Sequence, residues 1–283
     1  MCIELLYQQG WIFTSPVVYY GVKLLDIHNP FNAPVYHEET VDTTMEVSRL
    51  LARNNAPPHG TVITADFQES GRGRVRERRW EMEKGTDLAF TVLLRYTQVI
   101  PSALTLRAGL AVALAIEEFA PALAGKALIK WPNDILLPAP VSDGKQSVLK
   151  AAGILAEAES GNVHIGIGVN LSKKQFLGGK AAGIGFASGA EYNAGDRFIL
   201  LEKILSHLYD EIEPVEDGGD WRERLEARLY KKGQRICFAK GAADSGDMVS
   251  GTLAGIGPEG ELLIAPDGGT APLAFTAGEV FFK

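Results

Sequence analysis

Two short segments gather side chains suited to anion chemistry. Gly71-Arg72-Gly73-Arg74 opens the run GRGRVRERRW, which holds five arginines. Glycines let backbone approach a ligand closely, and the Arg72 and Arg74 guanidiniums offer forked donors to phosphate or carboxylate. Arg76, Arg78 and Arg79 add positive field. The run reads as an anion-binding loop; the competing readings are a solvated basic loop or a nucleic-acid contact. Glycine alternation directly after an apolar strand favours the ligand loop. It is neither a dinucleotide fingerprint nor a P-loop, because the third glycine of the first and the Gly-Lys-Ser/Thr ending of the second are absent. Further along, Lys130-Trp131-Pro132-Asn133-Asp134 sits between two apolar runs. Lys130 can hold a phosphate as a point charge, and Asn133 and Asp134 can orient a metal or a ribose. A polar hairpin tip with Trp131 packed beneath it competes with that reading, since Pro-Asn-Asp is also a good turn.

Other candidates are weaker. Lys150 stands at the entrance to the apolar stretch Ala151-Ala152-Gly153-Ile154-Leu155. There it either snorkels to the surface or neutralises charge at a reacting phosphorus. Gly166, Gly168 and Asn170 mark a strand approached closely by a ligand or by backbone, or else a bulge. The histidines at 28, 37, 59, 164 and 207 show no metal-ligand spacing. His164 reads as a strand residue without a catalytic role, and Gly-x-Ser-x-Gly is absent. Spacing alone proposes no carboxylate pair.

The elements that must position these groups can be read from periodicity and turn chemistry. A helix is expected after Asp42, through Met45, Val47, Leu50 and Leu51, with Asp42, Thr43 or Thr44 as cap, Glu46 in its first turn, and Asn54-Asn55 and Pro57-Pro58 ending it. Thr61–Phe67 and Leu88–Leu94 read as strands, and Pro101-Ser102 opens a long apolar helix reaching Phe119. Residues 127–129 and 135–137 flank the Pro-Asn-Asp turn, and residues 153–157 and 163–167 flank Ser160-Gly161-Asn162, as in hairpins. Helices are expected over 198–208 and 221–230, and a loop over 178–190. Short strands at 235–239, 248–253, 262–265 and 280–282, separated by glycine-rich turns, predict a small β-barrel. Residues 1–36, broken by Pro16, Pro30 and Pro34, read as irregular or short-strand structure with no helix-turn-helix pattern.

The expected fold class is α+β: a mixed, mainly antiparallel sheet with packed helices, divided as an extension (1–36), a catalytic domain (37–230) and a barrel (231–283). The chain has 283 residues, 46% hydrophobic and 22% charged, which suffices for one such domain and a small second one. A net charge of −7 disfavours a general nucleic-acid binder. Two cysteines, Cys2 and Cys237, are too few for a disulfide framework or zinc site and fit a reducing cytoplasm. The sequence suggests no secretory leader and no membrane span.

Taken in order, Thr61–Phe67 with Gln68 and GRGR, KWPNDILL, KAAGIL-x-E and GIGVN resemble biotin protein ligase. Gly251–Ile256, Gly260–Leu263 and Gly278–Val280 are similar to that family's C-terminal barrel, so the resemblance covers residues 38 to 283. It implies a class II synthetase-like catalytic domain with an SH3-like barrel. The implied reaction activates biotin with ATP to biotinyl-5′-AMP, with Mg²⁺ at the phosphates, and transfers biotin to a lysine of a biotin carboxyl carrier protein domain.

Carried across residue by residue, Thr43, Thr44, Gln68 and Gly71 hold biotin's ureido ring. Arg72, Gly73 and Arg74 close over biotin and the adenylate phosphate, and Gly153 lines the biotin site. Lys130, Asn133 and Asp134 serve nucleotide and metal, with Asp134 the Mg²⁺ ligand. Lys150 meets biotin's carboxylate and the reacting phosphate, and Trp80 and Asn170 lie on the nucleotide side. Lys150, Arg74 and Lys130 form the implied catalytic set. Two departures stand out: Met45 replaces the asparagine of the family's Ser-Thr-Asn, and Val75–Trp80 is about one residue longer than the family's loop. The resemblance implies a non-repressor member without a DNA-binding domain, monomeric or homodimeric, with no nucleic-acid or membrane partner. The rivals are a lipoate or octanoate ligase or transferase of the same superfamily, and a non-catalytic biotin-binding regulator.

Overall fold

The computed structural model describes residues 22–74, 79–96, 102–138, 147–176, 180–213, 221–240, 248–269 and 271–281. Most of the expected extension, Cys2, the loop insert Val75–Arg78, Pro101 and the first residues of the expected 178–190 loop lie outside them. Ten strands form the larger sheet: β1 (Lys23–Leu25), β2 (Val35–Glu38), β3 (Thr61–Ala65), β4 (Leu88–Arg95), β5 (Leu128–Lys130), β6 (Asp134–Pro138), β7 (Val148–Glu159), β8 (Asn162–Val169), β9 (Gln175–Phe176) and β10 (Ala181–Ala182). Their order is β1-β2-β3-β4-β8-β7-β10-β9, with the β5–β6 hairpin joined through β6 to β7. Pairings are antiparallel except β2 with β3 and β7 with β10, so the mainly antiparallel α+β expectation holds.

Helix α1 (Thr44–Asn55) starts where the sequence places it. Thr43 is extended, and its hydroxyl accepts the Glu46 N–H at 3.0 Å. Ala56 ends it in the left-handed region, ahead of Pro57. Helix α2 (Leu104–Phe119) is apolar on nearly every side because it lies between the sheet and helix α4 (Asp196–Ile212). It begins at Leu104, two residues after Ser102. A short helix α3 (Ile184–Ser188) occupies the expected loop, and α5 (Trp221–Glu226) is shorter than the expected 221–230.

Strand β4 is buried on both faces. Leu88, Phe90, Val92 and Leu94 join the core with α2, and Thr91 on the alternate face meets Thr44 of α1. Thr91, with its register neighbours Gly166 and Leu155, therefore sits on the α1 side of a sheet whose other face carries the main core.

A second sheet follows, in the order β14 (Leu273–Phe275), β13 (Leu262–Pro266), β12 (Met248–Ile256), β11 (Arg235–Ala239), β15 (Glu279–Phe281). The expected closed barrel is corrected here. Among the described residues β14 and β15 do not pair, so the small β unit is an open sheet. These two edge strands are three residues each. The unit is fastened to the β5–β6 turn and to α5: Trp131 Nε1 donates to Gly260 O at 3.0 Å, and Glu226 accepts the Ile256 N–H at 2.7 Å.

Candidate active site

The cleft forms where the α1 N-terminus, the segment after β3, and strands β4, β7 and β8 converge. Its volume is about 570 Å³ including its open mouth, within the range of small-molecule sites. Thr43, Thr44, Gln68, Arg72, Gly73, Arg74, Trp80, Asn133, Lys150 and Gly153 all line it.

At the α1 end, Gln68 Oε1 accepts the Thr44 backbone N–H at 2.9 Å and the Thr44 hydroxyl at 3.2 Å. Because a backbone N–H can only donate, the amide oxygen must face Thr44, which turns the Gln68 NH₂ away. Thr44 Oγ1 lies 2.8 Å from Thr91 Oγ1, extending a chain of polar groups to a threonine that is fully buried. Gly71 is buried beside this chain. A Cβ there would stand 3.3 Å from Gln68 Nε2 and 3.2 Å from Trp80 O.

The arginine loop is pinched at its base. Arg72 and Arg79 form an antiparallel bridge, and Trp80 N–H donates to Gly71 O at 2.8 Å. The exposed guanidiniums rest on the cleft's rim: Arg72 Nη2 is 3.8 Å from Glu157 Oε2, and Arg74 Nη2 donates to Gly278 O at 2.9 Å. Trp80 folds back into the cleft. A Cβ on Gly168 would come within 2.5 Å of its ring, and one on Gly153 within 3.3 Å. The glycines anticipated as a close-approach strand thus admit an indole, whose Nε1–H is buried without a hydrogen-bond partner.

Opposite the loop, Lys150 Nζ lies 2.6 Å from Asp134 Oδ1 and 5.6 Å from the centre of the Trp80 ring. The turn ahead of Asp134 is tightly held. Asn133 Nδ2 donates to Ile154 O at 2.8 Å while Ile154 N–H donates to Asn133 O at 2.9 Å, and Trp131 is buried against the second sheet. Asp134 thus reaches the cleft through Lys150, whereas Lys130, on β5 opposite Asp134 in register, does not line it. Asn170 also lies outside the lining. It is buried at the end of β8, and its Oδ1 has no hydrogen-bond partner.

Sequence reasoning passed over Phe90, Thr91, Ile154, Leu155 and Ile167, which complete the walls. Thr91 carried a signal, a hydroxyl inside the apolar strand Leu88–Arg95. Asp87 was missed as well. Its fully buried carboxylate accepts N–H bonds from Glu83 at 2.6 Å, Leu171 at 2.6 Å and Ser172 at 3.1 Å, which fixes the chain just beyond Asn170. Burial raises its pKa against the lowering effect of those N–H groups. Among the described residues no group of three or more His, Cys, Asp or Glu side chains gathers as a metal site.

Comparison with known proteins places this geometry. Residues 38–172 match the Biotin/lipoate A/B protein ligase family. The bifunctional ligase/repressor BirA of Bacillus subtilis is 38% identical over 148 residues, covering 50% of this chain and 41% of that protein. The biotin–[acetyl-CoA-carboxylase] ligase of Mycobacterium tuberculosis is 36% identical over 132 residues, covering 44% of this chain and 45% of that one. The matched part thus spans less than half the length of these relatives. The biotin protein ligase from Aquifex aeolicus, solved in complex with biotin and ATP, superposes with a TM-score of 0.70 at 23% identity, covering 87% of this chain and 97% of that one, a likeness of fold. All the cleft-lining residues fall within the segment, residues 38–172, that matches the biotin/lipoate A/B protein ligase family.

Proposed function

We propose that the chain is an ATP-dependent biotin protein ligase, acting in the cytoplasm on a biotin carboxyl carrier protein domain. The observation that carries the reading is the cleft itself. A polar chain at one end (Thr44, Gln68, Thr91) suits a ureido ring, and Lys150 with two loop arginines at the other suits a carboxylate meeting a phosphate. The names of the relatives support it. A lipoate ligase is the rival that the family leaves open, but a dithiolane ring offers no N–H or carbonyl to Thr44, Gln68 and Thr91.

In this reading biotin's carboxylate oxygen attacks the α-phosphorus of ATP, the bond to the bridging β-phosphate oxygen breaks, and pyrophosphate departs. Two anions must meet, so fixed positive charge is the main catalytic resource. Lys150 leaves Asp134 to bridge carboxylate and α-phosphate, while Arg72 and Arg74 swing from Glu157 and Gly278 O onto the mixed anhydride. The carrier's lysine nitrogen then attacks the acyl carbon, forms the amide, and loses its proton as AMP leaves. Asn133 and Asn170 serve the nucleotide side, with Lys130 adding distant charge. One carboxylate, Asp134, fits a Mg²⁺ ion that arrives on the triphosphate, and such an ion would neutralise phosphate charge. The division into residues 37–230 for catalysis and 231–283 as an accessory β unit belongs to the same proposal.

The test is biotin- and ATP-dependent labelling of a carrier-domain lysine, with Lys150→Ala as control. Labelling by the wild type, lost in the variant, is expected. No labelling under Mg²⁺ and ATP, or labelling with lipoate in preference to biotin, would refute the reading.

A further inference from the structure

Met45 is the second residue of α1, is only 5% exposed, and lines the cleft beside Thr44. Its methyl stands on the sheet where Gly166 leaves a notch. A Cβ built on Gly166 would lie 2.8 Å from Met45 Cε and 3.7 Å from Thr91 Oγ1. Gly166 itself is opposite Thr91 on β4 and opposite Leu155 on β7. The closed end of the cleft therefore has two unlike halves: the hydrogen-bonding chain of Thr44, Gln68 and Thr91, and a thioether wedged between that chain and the sheet. A thioether is only a weak acceptor, but its unbranched chain fills irregular space.

We propose that Met45 is a specificity-determining residue that sets the depth of the acyl-substrate pocket. It fills the space beside Thr91 and so admits a ureido-type head whose polar edge is unsubstituted while excluding one that carries an alkyl group there. The inference rests on the proposed ligase reading and assigns this residue's part in it. Removing the side chain beyond Cβ opens the notch, and adding a Cβ at Gly166 pushes the thioether into the substrate space.

The experiment compares biotin with ureido-N-methylbiotin in ATP–pyrophosphate exchange, and measures binding of both by calorimetry. The proteins are the wild type, Met45→Ala, Met45→Leu, Gly166→Ala and the Met45→Ala/Gly166→Ala double variant. The kcat/KM ratio of methylated over plain biotin should rise about tenfold or more in Met45→Ala and stay within about threefold in Met45→Leu. Gly166→Ala should raise the KM for biotin, and Met45→Ala in that background should lower it again, a coupling that independent sites would not show. If Met45→Ala is too unstable to assay, the binding ratio of Gly166→Ala against the double variant decides. An unchanged ratio in Met45→Ala, or a Gly166→Ala defect indifferent to residue 45, overturns the role of Met45. A wild type that neither binds nor activates biotin refutes the ligase reading instead.

Discussion

The two signature segments face each other across one cleft and are held in opposite ways. In Trp131–Asp134 nearly every polar group is committed to the scaffold: Trp131 to Gly260 O, Asn133 to both backbone groups of Ile154, and Asp134 to Lys150. Around Gly71–Arg74 and Arg79–Trp80 the base is tied by backbone bonds, and the guanidiniums of Arg72 and Arg74 are exposed and rest on a carboxylate and a carbonyl. In the proposed ligase, the first wall would stay in place and the second would exchange its contacts when an anion arrives. Sites that must be accurate sit on rigid elements, whereas lids come from segments with few buried contacts.

Variants on the two walls should therefore fail differently. The largest effect is expected from Lys150→Ala, which in the proposed ligase removes the charge between carboxylate and phosphate. Adenylate formation should fall by about 10²–10³ in kcat, read by single-turnover quench, with folding intact by circular dichroism. A fall confined to KM would move Lys150 out of the reacting centre.

Asn133→Ala should instead weaken the fold. It loses the side-chain bond to Ile154 O inside a hairpin, at a cost of about 1–3 kcal/mol, measured as a lower urea midpoint. An unchanged midpoint would mean that this wall is not the rigid one.

Arg74→Gly, on the exposed loop, should leave the urea midpoint within about 0.5 kcal/mol. It should speed release of preformed adenylate about tenfold, the loss of one charged contact, and make labelling less selective. Unaltered release would remove the closing role assigned to the loop.

The smallest effect is a pH dependence common to the whole sheet. Burial lowers the pKa of His37 and His164 below the ordinary 6.5, so both are held neutral in the fold. The unfolded chain then binds more protons as pH falls through the region of 6.5, and stability drops with it. Urea midpoints at pH 7.5 and 6.0 should show that loss. It should shrink in His164→Asn, where the amide replaces the Nδ1 contact to Ser48 Oγ at 2.8 Å.

The same contrast explains what the sequence made legible. Elements with a local signature were readable: α1 from the Thr43 cap and Glu46, the β5–β6 hairpin from its Pro-Asn-Asp turn, and β7–β8 from Ser160-Gly161-Asn162. Elements that exist only through distant pairing were not. β1 is a short edge segment made regular by β2, β2 is held between β1 and β3, and β10 is two residues that find β7 in parallel. In the site, charged and glycine-rich residues announced themselves. Asp87 did not, and Thr91 offered only a hydroxyl in an apolar strand, because their partners lie far along the chain: Thr44 for Thr91, and Leu171 and Ser172 for Asp87. Lys130 drew notice for the opposite reason, its place in a local motif. It shares a motif with Asn133, which lines the cleft, but is itself absent from the lining.

The most direct test of the account is exchange of labelled pyrophosphate into ATP, with biotin, lipoate or no acid added. The account predicts exchange that requires biotin, is absent with lipoate, and disappears in Lys150→Ala. Exchange independent of biotin, or its absence in a folded wild-type protein that is supplied with Mg²⁺, would contradict it.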